Sequence, residues 1–403
     1  MTLTQAQRTL PSFLAYLDGL RERGDVHFDD KVQAWQVMGY DDVNTVLTDS
    51  VTFSSDVSAL APKQEDFDLF KRGNFVRLDD PEHRKLRGLV SQAFTPKMIA
   101  GLEPRIAEVT TRLLDEADAA GGDRFDLIDS LAYPLPFIVI AELLGIPASD
   151  QLLVRRVADT FFEIHNTDPD ESLTELGDKA VRNVAPLIRE LNTYVLDFVR
   201  RRRAQPGDDD LTSKLMAVEV DGERMEDEEI VGFIGLLLLA GHVTATSTLG
   251  NTVLAFEENP DAAALVRADM SLVPAAIEES LRFRPPFPRL GRTATKDTVL
   301  GGQEIAAGDF VLSWLTTANR DERVFTEPDR FDILRTSNPH LTWGKGIHFC
   351  LGAPLGRLEV KVALRILMER YSDIRLASDA PIHLRNPWAM IGVNKLPLEV
   401  RRS

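Results

Sequence analysis

Cysteine is almost absent from this sequence, in which Cys350 is the only one among 403 residues. A structural zinc site needs three or four clustered Cys and His ligands, so the cysteine count excludes one here. The surrounding residues also lack the local signatures of caspase-like and papain-like hydrolases. Because a lone cysteine is usually a small buried hydrophobic residue, its context must decide whether it has any chemistry.

Long apolar runs are also scarce, and basic residues are fewer than acidic ones. The longest apolar run, within Ile230–Ala240, is far shorter than the roughly 20 residues that a membrane-spanning helix needs. The stretch Met1–Ser12 shows no signal-peptide or anchor pattern. The net charge of -17 would repel nucleic acids and anionic membranes. We therefore expect a cytoplasmic protein that binds neither nucleic acid nor membrane.

Most of the chain shows helical periodicity. Apolar residues recur at helical spacing from Leu102 to Ala117, for example. Strand signals are confined to short segments, of which Trp35–Met38, Val218–Val220 and Thr298–Val311 carry the most. The length alone would allow two or three domains, but no Pro/Gly/Ser-rich linker and no internal repeat divides the sequence. These patterns predict a mainly α fold with small β-sheets.

The context of Cys350 is the segment Trp343–Gly352, which reads Trp-Gly-Lys-Gly-Ile-His-Phe-Cys-Leu-Gly. Its closely spaced glycines would let the backbone turn tightly and bring N–H groups near the sulfur. The segment lacks the third glycine of a dinucleotide-binding loop. One thiolate can complete the coordination of a metal when a porphyrin supplies the other four ligands. The pattern therefore indicates a haem-thiolate loop.

This segment resembles the cysteine-ligand loop of the cytochrome P450 family, with Trp343 where the family usually has Phe. The resemblance implies that Cys350 is the axial ligand of a haem b iron and that Gly352 belongs to the same loop. It implies the P450 fold, in which haem lies between a long distal helix and the proximal cysteine loop. Residues 1–403 would then form a single catalytic domain.

Two helical residues extend the resemblance. Glu279 and Arg282 lie three apart and would face the same side of a helix. Alone, such a pair is usually a solvated ion pair of little consequence. The later segment Glu327–Phe331 is similar to the family's arginine-bearing segment, so the resemblance implies a structural Glu-Arg-Arg triad of Glu279, Arg282 and Arg330.

The haem propionates are anions that need hydrogen-bond donors. A helix is expected to open within Asp79–Arg87, where a histidine and an arginine four residues apart would share a face. Two other segments, Arg292–Thr295 and the cysteine loop, are similar to segments of the family that bind propionates. The resemblance implies that the propionates are held by His83, Arg87, Arg292 and His348.

A long helix is predicted from an acidic start near Glu226 to a stop at Asn259-Pro260. Its middle, Ala240–Thr246, combines glycine with β-branched residues, which are poor choices for a helix interior. Tight packing would explain them. The resemblance instead implies a local opening over the haem, where Ala240 and Gly241 leave room for dioxygen and Thr244 offers a hydroxyl.

The sequence departs from the family pattern at Val243, where an acidic residue usually precedes the threonine. Proton delivery through such a carboxylate is then excluded. We expect ordered water to deliver protons through Thr244, with help from a hydroxyl of the substrate.

The resemblance is greatest to bacterial macrolide-tailoring hydroxylases. It implies a monooxygenase that inserts one atom of O2 into a C–H bond of a large, mostly apolar small molecule, such as a macrolide or another polyketide made for antibiotic biosynthesis. A terpenoid, a fatty acid and a carrier-bound amino acid remain alternative substrates, and a non-catalytic haem sensor remains an alternative of another class. By position in the fold, the pocket would include Phe161–Leu176 and the residues Phe75, Val243, Phe287, Leu290, Trp388, Met390 and Ile391.

The sequence contains no segment typical of a fused flavin or iron–sulfur domain. We therefore expect electrons to come from a separate ferredoxin and an NAD(P)H-dependent reductase, and we expect the enzyme to be a monomer. Lys345 and Arg357 flank the cysteine loop and would offer the ferredoxin a basic landing site.

Overall fold

The computed structural model describes residues 9–57, 69, 72–147, 150, 173–205, 209–220 and 222–403. Helices predominate in this part of the chain, which confirms the predicted fold class. In chain order, the α-helices among these residues are α1 Leu10–Arg21, α2 Tyr40–Thr48, α3 Glu82–Ala93, α4 Pro96–Ala100, α5 Glu103–Gly121, α6 Pro134–Leu144, α7 Leu173–Ala204, α8 Leu211–Ala217, α9 Asp227–Glu258, α10 Pro260–Ala268, α11 Val273–Phe283, α12 Leu315–Ala318 and α13 Ala353–Arg370.

The strands are short, and five of the fourteen in the described part of the chain overlap the three strand signals of the sequence. They are β1 Val26–Asp29, β2 Ala34–Val37, β3 Phe53–Ser54, β4 Arg124–Asp126, β5 Glu219–Val220, β6 Glu223–Arg224, β7 Arg289–Ala294, β8 Thr298–Leu300, β9 Gln303–Ile305, β10 Phe310–Trp314, β11 Tyr371–Leu376, β12 His383–Leu384, β13 Val393–Lys395 and β14 Pro397–Arg402. The largest sheet has the order β1-β2-β10-β7-β3, and a second has the order β11-β14-β4.

Helix α9 is the predicted long helix, and its ends lie where the sequence places them. A capping box between Glu226 and Glu229 starts it, and it ends before Asn259-Pro260. Its 32 residues span about 48 Å at 1.5 Å per residue. Among the described helices it is the one long and apolar enough to cross a membrane, but 78% of its apolar window is buried inside the protein. It is therefore a core helix of this fold.

The elements around α9 place the candidate site. Helix α9 packs against α6, α7, α11 and α13. Helix α13 starts directly after the cysteine loop, and strand β7 pairs antiparallel with β10 over Arg289 to Thr293. Residues from four distant parts of the sequence can thus reach one region between α9 and the cysteine loop.

Candidate active site

The backbone of the cysteine loop turns tightly around Cys350. Gly344 and Gly346 have φ angles of +70° and +68°, a region that side chains rarely tolerate. A Cβ atom on Gly346 would lie 2.9 Å from the carbonyl oxygen of Leu47. The amide of Cys350 donates to the carbonyl of Trp343 at 2.8 Å and closes the loop. Both glycines are therefore required for this path of the backbone.

The loop places the sulfur of Cys350 at the N-terminus of α13. Burial raises the pKa of the Cys350 thiol, while the amides of Gly352 and Ala353 and the guanidinium groups of Arg87 and Arg357 act in the opposite direction. Coordination to a metal ion deprotonates a thiol outright. The helix N-terminus and the nearby donors would then stabilise the thiolate.

The four predicted propionate residues come together beside this loop. The rings of His83 and His348 lie 4.4 Å apart between centroids. The Nη2 atom of Arg87 donates to the carbonyl of Phe349 at 2.7 Å. Burial, followed by the positive charges of Arg292, His83 and Arg87, lowers the pKa of His348 to about 3. The cluster is thus an enclosed group of cations and neutral imidazole donors.

Several polar atoms in and beside this cluster lack hydrogen-bond partners within the described part of the chain. His83 Nε2, both ring nitrogens of His348 and Trp343 Nε1 are buried without a hydrogen-bond partner. Arg292 is buried and donates to the carbonyl of its neighbour Gly291 at 2.9 Å. Burying so many unpaired polar atoms is costly unless a ligand binds them, and an anion suits the N–H groups and guanidinium groups among them. The two propionates of haem b, with Cys350 as ligand, fit this arrangement of residues.

Sequence analysis missed a further cation, Arg77. It lies in a 3-10 turn over Phe75–Arg77, and its side chain makes no hydrogen bond or ion pair with the described residues. Burial, followed by the positive charge of Arg77, lowers the pKa of Arg292 to about 10. Arg77 is exposed, and the surrounding protein lowers its own pKa. The only sequence signal is its position in the segment leading to His83.

The first two members of the predicted triad form a buried pair. Arg282 Nε and Nη2 donate to Glu279 Oε2 and Oε1 at 2.8 and 2.7 Å. Arg282 Nη1 also donates to the carbonyls of Asn319 and Pro328, and neither charged side chain is accessible to solvent. This satisfied network lies next to the cysteine loop.

The third member is Arg335, so the prediction of Arg330 was wrong. Arg335 Nε lies 3.4 Å from Glu279 Oε2, whereas Arg330 is exposed and pairs with Glu327 at 3.1 Å. A turn in which Glu327 has a φ of 46° precedes Arg330 and leaves its side chain outside. The chain then turns inward, where the Asp332 amide donates to Glu279 Oε1 at 2.8 Å and brings Arg335 into the network.

A second ion pair ties the cysteine loop to α11. Arg357 donates to both carboxylate oxygens of Glu278 at 2.7 Å and lies 4.7 Å above the Trp343 ring. Burial raises the pKa of Glu278, but hydrogen bonds from Arg357 and His340 outweigh it and hold the value at about 2. Arg357 is therefore half-buried and already paired, while Lys345 is exposed.

The middle of α9 has one accessible face. Ala240 is exposed and Gly241 and Thr244 are half-buried, although nearly all other residues in this part of the helix are buried. These three positions share a face at helical spacing. The hydroxyl of Thr244 donates to the carbonyl of Ala240 at 3.1 Å, and the helix runs unbroken through the segment. The opening is therefore a space beside a continuous helix.

Two leucines missed by sequence analysis extend this face. Leu236 and Leu237, one turn earlier, are also half-buried, whereas Val243 is 1% exposed and packs into the core. The prediction of Val243 as a pocket residue is therefore not supported by its orientation. Helical spacing from Gly241 would have identified Leu237, because positions four apart face the same side.

The other pocket predictions divide into two groups. Phe75 stacks on Phe233 of α9, and Met390 Sδ accepts a hydrogen bond from Ser247 of α9 at 3.2 Å, so both lie against the distal helix. Trp388 and Ile391 are buried in a core cluster with α1. Phe287 and Leu290 are half-buried near the start of β7. Within the predicted segment Phe161–Leu176, residues 161–172 lie outside the described residues.

Comparison with known proteins agrees with this geometry. A family model described as Cytochrome P450 matches residues 30–401. Erythromycin C-12 hydroxylase of Saccharopolyspora erythraea is 41% identical over 397 residues, covering 96% of this chain and 94% of that protein. Cyclomarin C epoxidase CymV of Salinispora arenicola is 38% identical over 387 residues, covering 96% and 95%.

A solved structure shows the same fold. The structure of a mutant of P450 EryK in complex with erythromycin B matches with a TM-score of 0.87 at 40% identity, covering 98% of this chain and 97% of that one. The predicted resemblance to macrolide-tailoring hydroxylases is confirmed. The chain therefore belongs to the cytochrome P450 family and is a haem b-dependent monooxygenase.

Proposed function

We propose that this monooxygenase inserts one atom of O2 into a C–H bond of a macrolide or another polyketide of secondary metabolism. The observation that carries the proposal is the accessible face of Ala240, Gly241 and Thr244 on an otherwise buried α9. Similarity to proteins named erythromycin C-12 hydroxylase and cyclomarin C epoxidase supports a large secondary metabolite as substrate. A mostly apolar pocket with few polar groups suits such a molecule.

The proximal residues would hold the cofactor. We assign Cys350 as the axial ligand, Gly352 as a donor beside the sulfur, and His83, Arg87, Arg292 and His348 as the propionate residues, joined by Arg77. When bound, haem b supplies the iron that activates dioxygen with two electrons from a redox partner. The buried donors without acceptors at His83 and His348 support this assignment.

Proton delivery would depend on Thr244. Val243 is buried and has no acidic proton, so the position before Thr244 cannot supply one as a carboxylic acid would. The Thr244 hydroxyl now donates to Ala240 O, and turning it toward the opening would let it pass protons from ordered water to dioxygen. A hydroxyl of the substrate would hold that water in place.

The remaining assignments concern partners and organisation. P450 monooxygenases use a substrate, O2 and redox partners; here we propose a ferredoxin and an NAD(P)H-dependent ferredoxin reductase. Lys345 is the exposed cation for ferredoxin docking, because Arg357 is already paired with Glu278. We further propose one catalytic domain over residues 1–403, a monomer, and a cytoplasmic location.

The test is a titration of the purified ferric protein with macrolides, terpenoids, fatty acids and carrier-bound amino acids. A saturable shift of the Soret band with macrolides, followed by product formation with ferredoxin, reductase and NAD(P)H, is the expected result. A shift with another class alone would reject the polyketide substrate, while absence of a haem band would reject the site itself.

A further inference from the structure

Glu278 of α11 binds residues on both sides of the cysteine loop. Its Oε1 and Oε2 atoms accept hydrogen bonds from Nε and Nη2 of Arg357, both at 2.7 Å. Its Oε2 atom also lies 3.1 Å from Nε2 of His340. His340 precedes the cysteine loop and Arg357 follows it, so a single carboxylate holds the two ends of the loop together.

The contact between His340 and Glu278 is a hydrogen bond donated by the imidazole ring. Nδ1 of His340 accepts from the amide of Thr342 at 3.4 Å, so this nitrogen carries no proton. The proton is then on Nε2, which donates to Glu278. The hydroxyl of Thr342 in turn donates to the carbonyl of Leu281 in α11 at 2.8 Å. The residues that lead into the cysteine loop are thus fixed to α11.

On the other side of the loop, Arg357 packs against the loop itself. Its guanidinium carbon lies 4.7 Å from the centroid of the Trp343 ring. A Cβ atom on the preceding residue, Gly356, would lie 3.5 Å from the same ring. The carbonyl of Trp343 accepts the amide of Cys350 at 2.8 Å. Arg357 therefore contacts the residue that closes the backbone around the sulfur.

The charge of Arg357 is close enough to act on the sulfur. Helix α13 starts after Gly352, on which a Cβ atom would lie 3.9 Å from the sulfur of Cys350. Arg357 comes five residues later, a rise of about 7.5 Å along the helix. Hydrogen bonding to Glu278 raises the pKa of Arg357, burial acts in the opposite direction, and the negative charge of Cys350 adds to the increase. Charges at such a distance interact appreciably near a protein surface.

Glu278 differs from its neighbour Glu279 in burial and in partners. Glu279 is fully buried and belongs to the closed network of Arg282 and Arg335. The side chains of Glu278 and Arg357 are 29% and 38% exposed. An ion pair exposed to this extent contributes little to stability, so variants that lack it should fold.

We propose that Glu278 and Arg357 are positioning residues that set the electron donation of the Cys350 thiolate, and with it the reduction potential of the haem iron. This inference rests on the proposed function, in which Cys350 is the axial ligand. A positive charge near a thiolate stabilises its negative charge and weakens its donation to iron, whereas a negative charge has the opposite effect. Arg357 supplies the positive charge, and the Glu278 carboxylate balances it.

The test measures the reduction potential of the haem-loaded protein by spectroelectrochemistry. The wild type is compared with Glu278→Gln, Arg357→Gln and the double variant. Arg365→Gln and Glu369→Gln, which break an exposed ion pair of the same helix, are the matched controls. The absorption maximum of the ferrous CO complex and the haem content are recorded for every sample, because they report whether the thiolate ligand is retained.

We expect the two single variants to shift the potential in opposite directions. At a fixed electrode potential, Glu278→Gln should raise the ratio of ferrous to ferric protein severalfold, because the charge of Arg357 is no longer balanced. Arg357→Gln should lower this ratio, because it leaves the carboxylate without its cation. The double variant should return close to the wild type, the two controls should match the wild type, and every sample should keep the thiolate-bound CO spectrum.

Shifts of the same sign in both single variants, or no shift in either, would overturn the inference, because only opposite signs identify an effect of charge on the thiolate. Loss of the thiolate-bound CO spectrum in the variants alone would show that the pair has a structural role only, and would also overturn it. A wild type without that spectrum would instead reject Cys350 as the ligand, and with it the proposed function.

Discussion

Arg282 and Arg289 lie on either side of the Pro285-Pro286 pair and differ in burial, because Arg282 is fully buried whereas Arg289 is half-buried. Arg282 donates to Glu279 and to three backbone carbonyls. Arg289 has only an indole ring beneath it and no acceptor among the described residues. A fully buried arginine needs partners from the chain itself, whereas a half-buried one retains contact with solvent and does not.

The same contrast separates two regions of the molecule. The region behind the cysteine loop contains closed networks around Glu279 and Glu278. The region facing α9 contains His83, His348 and Arg77, whose donors lack acceptors in the described chain. A map of satisfied and unsatisfied buried groups therefore distinguishes structural residues from binding residues, which charge and spacing alone do not.

The largest effect is expected in the closed network. Arg335→Ala removes the second buried cation beside Glu279 and should destabilise the protein by up to about 3 kcal/mol, a smaller loss than a fully broken pair because Glu279 keeps Arg282. Arg330→Ala removes an exposed pair and should cost less than about 0.5 kcal/mol. Urea unfolding of both variants measures the difference. Equal losses would show that Arg330 belongs to the network after all.

Glu359 is a buried carboxyl group that differs from the paired carboxylates Glu278 and Glu279 behind the cysteine loop. It is 2% exposed, lacks a partner in the described chain, and burial raises its pKa to about 8. This value exceeds that of an unfolded glutamate, so its contribution to stability is complete below about pH 4.3 and is lost as the pH rises through 8.

Glu359→Gln should therefore stabilise the protein at pH 8 by on the order of 3 kcal/mol, and the gain should shrink toward zero near pH 5. Thermal unfolding across this range is the measurement. Glu369→Gln, at the exposed end of the same helix, is the matched control and should show little pH dependence. A gain that does not vary with pH would contradict the raised pKa.

A substitution at Arg77 tests the region that we propose to bind the haem propionates. Arg77→Gln should weaken haem binding by roughly 10- to 100-fold, since a hydrogen bond to a charged group contributes about 1.5–3 kcal/mol. The rate of haem transfer to apomyoglobin reports the change. Arg84→Gln, at an exposed arginine of α3 paired with Asp80, is the control. Unchanged haem transfer would exclude Arg77 from the propionate residues.

A substitution at Thr244 should have the smallest effect on folding and a clear effect on the coupling of NAD(P)H use to product formation. Thr244→Ala should leave folding and haem content intact and lower the product formed per NAD(P)H severalfold, because proton delivery fails and reductant is lost to peroxide. Thr244→Ser keeps the hydroxyl and should restore the coupling. Unchanged coupling in Thr244→Ala would show that protons reach dioxygen by another route.

Several features of the structure could be read from local sequence. The ends of α9 follow from the capping box at Glu226 and from Asn259-Pro260, and the strands near Trp35 and Val311 follow from β-branched and aromatic composition. The cysteine loop was recognisable because its glycines, histidine and cysteine lie close together in the sequence, two residues apart. Local signals sufficed here because neighbouring residues determine these elements.

Other features depended on contacts between distant segments. Arg330 and Arg335 are equally plausible partners of Glu279 by composition, and only the backbone turn at Glu327 decides between them. Val243 lies beside Thr244 in sequence, but the packing of α9 buries it. No pattern of residue types could have resolved these cases.

The sequence by itself determined the fold class, the candidate haem-ligand loop around Cys350 and the position of the distal helix, because those depend on residues close together in sequence and on periodicity. Only the tertiary structure decided which charged groups are satisfied and which are left for ligands. Arg282 and Arg289 are the same residue type in one segment, and their difference lies in whether a carboxylate from another turn or a distant strand reaches them. Burial and hydrogen bonding are properties of that three-dimensional arrangement.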